Sequence, residues 1–208
     1  MKKLLLVSIV AALVSPLAAL ADSGVVTNAG SNAKANANLD FKITVPRLLS
    51  LQIGAANSVD LLDFQVPAAG IGNGTAVSAT GGDQTNGAVT VRVLANGASS
   101  VQLNSKTTGA MNNGSGSTIG WDQITVAEAA LPAQTSGYTN GAITHPAFNT
   151  NAASGGDGTA TTLTATNGLV RQEGKWTYGY KNQNVAAAGT YGGVNTQNGR
   201  VVYTATMP

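Results

Sequence analysis

The residues of this chain that could carry out chemistry are few and scattered. Its single histidine, His145, stands directly before Pro146. One histidine excludes a two-histidine zinc helix, and a serine–histidine–aspartate relay would need a G-x-S-x-G elbow that the chain lacks. His145 therefore reads as a loop residue without a catalytic role. Cysteine is absent, which removes thiolate nucleophiles, cysteine-based zinc and iron–sulfur sites and, for an exported chain, a disulfide framework. Asp60 and Asp63 are the one close pair of carboxylates that could cleave glycosides. Three residues apart on a strand they point to opposite faces, which assigns them to a turn and a solvent surface. Gly155-Gly156-Asp157-Gly158 is a single copy of a fragment whose calcium sites need stacked repeats, and no glycine-rich segment carries the G-K-[ST] of a phosphate cradle. These absences predict a non-enzymatic protein, with no catalytic, cofactor-binding or metal-ligating residues and no cofactor.

Two groups of side chains suggest binding instead. Trp176, Tyr178 and Tyr180 share one face of a strand, separated by Thr177 and Gly179. They would serve either as the core between two sheets or as an exposed platform on which sugar rings stack, and the core is the preferred assignment. Leu39, Phe41, Ile43 and Val45 alternate with Asp40, Lys42 and Thr44 up to Pro46. That period of two fits the protein's own first strand and equally a strand donated to a neighbouring copy. The polar arm before it holds only Val25 and Val26 as sizeable apolar residues, so the protein's own first strand is the preferred use.

The elements that must position these residues are strands. From residue 39 onward short β-branched or aromatic runs are closed by Gly, Asn, Asp or Ser, and no helical period is sustained. Strands are predicted at 39–45, 48–53, 62–66, 75–80, 121–126, 159–166, 175–180 and 200–206. Residues 88–106, with Asn96-Gly97 between two alternating runs, form the clearest hairpin. Residues 22–38 read as a polar, flexible arm, and 109–120 and 127–158 lack strand patterning. The last of these either hides a strand near Ile143 or is an elaborated loop that carries recognition. The fold class predicted is all-β, an immunoglobulin-like two-sheet β-sandwich formed by a single domain over 39–208.

Residues 1–21 fix the compartment. Lys2 and Lys3 precede an apolar run at 4–13, Pro16 follows, and Ala19-Leu20-Ala21 is a small-x-small cleavage site, together an export signal too short to span a bilayer. The mature chain is expected in the periplasm, at the cell surface or outside the cell. Eleven basic residues oppose nine acidic ones in the full chain, and removal of Lys2 and Lys3 leaves nine against nine. A neutral mature chain lacks the clustered cations that nucleic acid requires, and its low charge does little to resist self-association.

The leader, the 39–45 alternation before Pro46, the W-x-Y-x-Y of Trp176 to Tyr180, the Ala188-Gly189-Thr190-Tyr191 stretch and the closing 199–206 run resemble exported β-sandwich proteins of Gram-negative bacteria, in the style of fimbrial and spore-coat-U-like pilin subunits. The resemblance implies an immunoglobulin-like subunit that is handed to a periplasmic chaperone and polymerises with itself by strand exchange. The chain departs from that pattern in lacking a cysteine pair and in holding Tyr203 further from its end. The expected function is a structural or adhesive cell-surface protein. A monomeric carbohydrate-binding module and a secreted glycan hydrolase are the alternatives.

Overall fold

A computed structural model of the chain describes residues 24–27 and 30–208; the export signal expected at 1–21 lies outside the described residues. The chain divides into two units, Met1–Val45 and Pro46–Pro208. In the first, the described residues carry no strand or helix, only a turn in which Ala33 N–H donates to the Gly30 carbonyl at 3.3 Å. The strand expected at 39–45 is not formed, and Leu39, Phe41, Ile43 and Val45 are 77, 85, 89 and 71% exposed. Alternation marks which side chains would share a face, but a strand also needs a partner for its main-chain groups, and among the described residues 39–45 belongs to no sheet.

The second unit is all-β. Its strands are β1 (Leu49–Ile53), β2 (Val77–Ser78), β3 (Ala88–Asn96), β4 (Ser100–Thr107), β5 (Met111–Asn112), β6 (Thr118–Ile119), β7 (Ile124–Ala129), β8 (Thr139–Asn140), β9 (Gly156–Asp157), β10 (Thr161–Thr164), β11 (Leu169–Tyr180) and β12 (Val202–Thr206). Six of them form one sheet in the order β1-β3-β11-β2, with β7 and β8 also pairing with β11. Four form a second sheet, β10-β4-β12 with β9 on β4, and β5 pairs with β6 alone. All pairings are antiparallel except that of β8 with β11. Among the described residues no helix is long and apolar enough to cross a membrane.

The expected hairpin at 88–106 is corrected by this topology. β3 and β4 do not pair; each lies in a different sheet, and the Asn96-Gly97 turn, with Gly97 at φ +73°, carries the chain from one to the other. A hairpin and a crossing between sheets impose the same alternation, because in both the apolar faces of the two strands turn to a common core. Val89, Val91, Val93 and Ala95 of β3 and Val101 and Leu103 of β4 join Leu163, Val170, Trp176 and Tyr178 in that core.

β11 is the central strand, twice as long as expected, since Arg171, Gln172, Glu173 and Gly174 had no apolar signal. Its polar half is explained by a cross-strand partner: Glu173 lies opposite Arg92 of β3, and Arg92 Nε donates to Glu173 Oε2 at 2.9 Å. The Glu173 side chain is fully buried. Burial alone pulls its carboxyl up, but hydrogen bonds from the Thr135 N–H and from Arg92 outweigh that and hold it below its ordinary value. Arg92 Nη2 also donates to Thr135 Oγ1 at 2.7 Å, and the guanidinium lies over the Tyr138 ring, 5.9 Å from its centroid. This network ties the 130–142 loop to the sheet. The loop passes so close that a Cβ on Gly174 would stand 2.3 Å from the Gly141 carbonyl oxygen, so only glycine fits there. Glu173→Ala is expected to cost about 3 kcal/mol in urea unfolding, because it leaves Arg92 and the Thr135 N–H without their acceptor.

Candidate functional site

The expected strand at 62–66 takes an unusual form. Leu62, Phe64 and Val66 are half-buried and Asp63 and Gln65 exposed, as the alternation requires, yet the segment joins a neighbour only through the Asp63–Thr80 bridge. Its apolar face, together with Leu51 and Ile53 of β1, lines a groove of about 940 Å³. Trp121 and Ile124, Tyr178 and Tyr180 of β11, Tyr203 of β12 and a stretch of the 182–201 segment that includes Asn182, Asn184 and Arg200 also line it. Val59, Leu61, Ile71 and Val194, all more than 45% exposed, lie around it. An apolar cleft of this size forgoes contacts that a packed interior would make.

Two strand edges flank the groove. Among the described residues β1 pairs with β3 alone and β12 with β4 alone, while β1 and β12 lie close together across the two sheets. β1 is held rigidly at its entry: Asn96 Nδ2 donates to the Pro46 carbonyl at 2.8 Å, and Asn96 Oδ1 accepts from Leu48 N–H at 2.5 Å. Each free edge offers a row of main-chain donors and acceptors to an added strand.

The aromatic triplet is placed in the interior. Trp176, Tyr178 and Tyr180 are 0, 7 and 6% exposed, so none of them offers a face on which a sugar could stack. Trp176 Nε1 donates to the Ile143 carbonyl at 2.6 Å. That bond anchors the segment around Ile143, which is buried without being a strand. Tyr180 meets Phe64 at 6.3 Å between ring centroids. Burial pushes the Tyr178 hydroxyl well above its ordinary value, and burial followed by the neighbouring Tyr178 does the same to Tyr203.

His145 lies in a loop, as expected, with its side chain half-buried. Its imidazole packs against Phe148, Trp176, Tyr178 and Tyr203, and its Nε2 lies 2.7 Å from the Tyr203 hydroxyl. Nothing in its neighbourhood of sequence signals this, because three of the four rings lie more than 30 residues away. Asp60 and Asp63 lie along the groove but are engaged locally. Asp60 Oδ2 accepts from Ala55 N–H at 2.8 Å in the turn after β1, and Asp63 Oδ2 accepts from Gln65 Nε2 at 2.6 Å. No family model, curated protein or solved structure matches this chain.

Proposed function

We propose that this protein is an exported structural subunit, an immunoglobulin-like two-sheet domain that polymerises at the cell surface when residues 39–45 of one copy fill the groove of another. The observation that carries the reading is a matched pair of unfinished features. One unit ends in an alternating apolar segment whose four large side chains are almost bare, and the other contains an apolar groove bounded by two unpaired strand edges. Seven extended residues span about 23 Å, the length of an ordinary strand. Burying Leu39, Phe41, Ile43 and Val45 contributes roughly 6–12 kcal/mol before the costs of association, and the main chain of the donated strand satisfies an open edge. Lys42 and Thr44 then face solvent, as the outer face of an antiparallel sheet requires. The near-neutral mature chain puts little repulsion in the way.

The test is to express the protein in its native host, shear the cells and size the released material without denaturant. Particles far heavier than one subunit, which fall to a single subunit only under strong denaturation, are the expected result. A clean monomer with nothing on the sheared surface defeats the proposal and moves attention to a monomeric glycan-binding role.

A further inference from the structure

Among the groups lining the groove is a hydrogen-bonded chain that joins the two larger sheets. Tyr178 and Tyr203, one from each of the two larger sheets, meet hydroxyl to hydroxyl at 2.9 Å, and both line the groove. The Tyr203 hydroxyl in turn meets His145 Nε2 at 2.7 Å. The imidazole is enclosed edge-on by Phe148, Trp176, Tyr178 and Tyr203 at centroid distances of 4.7, 4.5, 5.9 and 5.5 Å. Few titratable groups face it. Tyr178 comes from β11 and Tyr203 from β12. From β7 comes Glu128, whose Oε1 accepts the His145 backbone N–H at 2.7 Å. A notch of about 310 Å³ brings Asp122 and Thr150 to the same place.

We infer that the His145–Tyr203–Tyr178 chain is an acid-released latch that sets the spacing of the two sheets at the groove, so that the groove holds an inserted strand while the imidazole is neutral and releases it when the imidazole takes up a proton. The latch regulates the acceptor site and rests on the reading of the groove as one. With Nε2 unprotonated, the Tyr203 hydroxyl donates to it and accepts from Tyr178. An imidazolium donates from both nitrogens, so the chain of hydroxyls must reverse, and the cation is left among rings that supply no full hydrogen-bonding shell. The exit is the notch, where Asp122 and Glu128 can solvate the charge. Leaving through it parts His145 from Tyr203 and unties the sheets.

The sign follows from the two states. Burial holds His145 at about 4 in the closed form, against 6.5 for a free imidazole. The open form therefore binds the proton first. Closure is fully favoured above pH 6.5 and weakens about tenfold for each pH unit below it, down to about pH 4.

The experiment uses the full mature chain without a histidine tag, made assembly-deficient by Phe41→Asp and Ile43→Asp, and a fluorescent peptide of residues 37–47 as probe. Peptide affinity is measured at about pH 7 and about pH 4.5, together with the proton resonance of the single histidine ring. The latch predicts an affinity loss of at least about tenfold in acid, less than about twofold with His145→Phe, and a ring whose midpoint lies between the closed value of about 4 and the open value of 6.5. Glu128→Gln is expected to retain the acid loss, which separates the imidazole from the nearby carboxylate. Equal acid loss in His145→Phe, or a ring that titrates near 6.5, overturns the latch alone. No peptide binding at about pH 7 overturns the acceptor reading itself. Should His145→Phe not fold, Tyr203→Phe cuts the chain and leaves the ring cage. Its affinity near neutrality should already be severalfold weaker, and an unchanged affinity overturns the latch.

Discussion

A chain carrying Phe41→Asp and Ile43→Asp is expected to remain monomeric at concentrations where the unchanged protein assembles, with the affinity between copies lowered at least about a hundredfold. Each of the two side chains contributes roughly 1.5–3 kcal/mol when buried in a groove, and a carboxylate in its place must be desolvated among apolar walls without a partner. Losing about 3–6 kcal/mol in this way corresponds to a hundredfold or more. The same substitutions should leave thermal unfolding of the Pro46–Pro208 unit within about 0.5 kcal/mol of the unchanged chain, because Phe41 and Ile43 are 85 and 89% exposed and support nothing there. Sedimentation velocity and a thermal melt on one preparation read both quantities. Lys42→Asp is the matched control: it adds an acid on the polar side of the segment and should leave assembly intact. A double variant that still polymerises sinks the donated strand. One whose melting temperature falls by several degrees shows instead that the segment belongs to its own domain.

Trp176→Ala should cost about 3–5 kcal/mol in urea unfolding, the largest stability effect of a single substitution in the core. Trp176 is fully buried on β11, which pairs with β3 on one side and β7 on the other. Its truncation empties the space between His145 and Tyr203, rings that stand 4.5 and 5.3 Å from it. It also removes the only hydrogen bond by which this side chain ties down the Ile143 carbonyl, a buried acceptor whose desolvation is then uncompensated. Trp176→Phe keeps most of the volume and loses the indole N–H, so it should recover all but about 1–2 kcal/mol. Equal losses in both variants would show that the hydrogen bond, not the packed ring, dominates. A loss below about 1 kcal/mol in Trp176→Ala would mean that the core around Ile143 is loose.

What the sequence determined by itself was local. Alternation of apolar and polar residues placed strands at 48–53, 121–126, 159–166, 175–180 and 200–206, each of which overlaps an observed strand although Trp121–Gln123 forms a 3-10 turn, and put Trp176, Tyr178 and Tyr180 on one face, because a strand's side chains alternate by pleat whatever it pairs with. What alternation cannot state is the partner. Hence Asn96-Gly97 looked like a hairpin and is a crossing between sheets, and residues 39–45 looked like a first strand and are left without one. The 62–66 run keeps its two faces but gains only a single bridge. The polar half of β11 escaped notice because Glu173 is accommodated by Arg92, 81 positions away. His145 gained its ring contacts only when Trp176, Tyr178 and Tyr203 were folded around it. These outcomes depend on groups far apart in the chain, whose mutual desolvation has no counterpart in any short stretch of sequence. Only the tertiary structure decided them, and with them the groove.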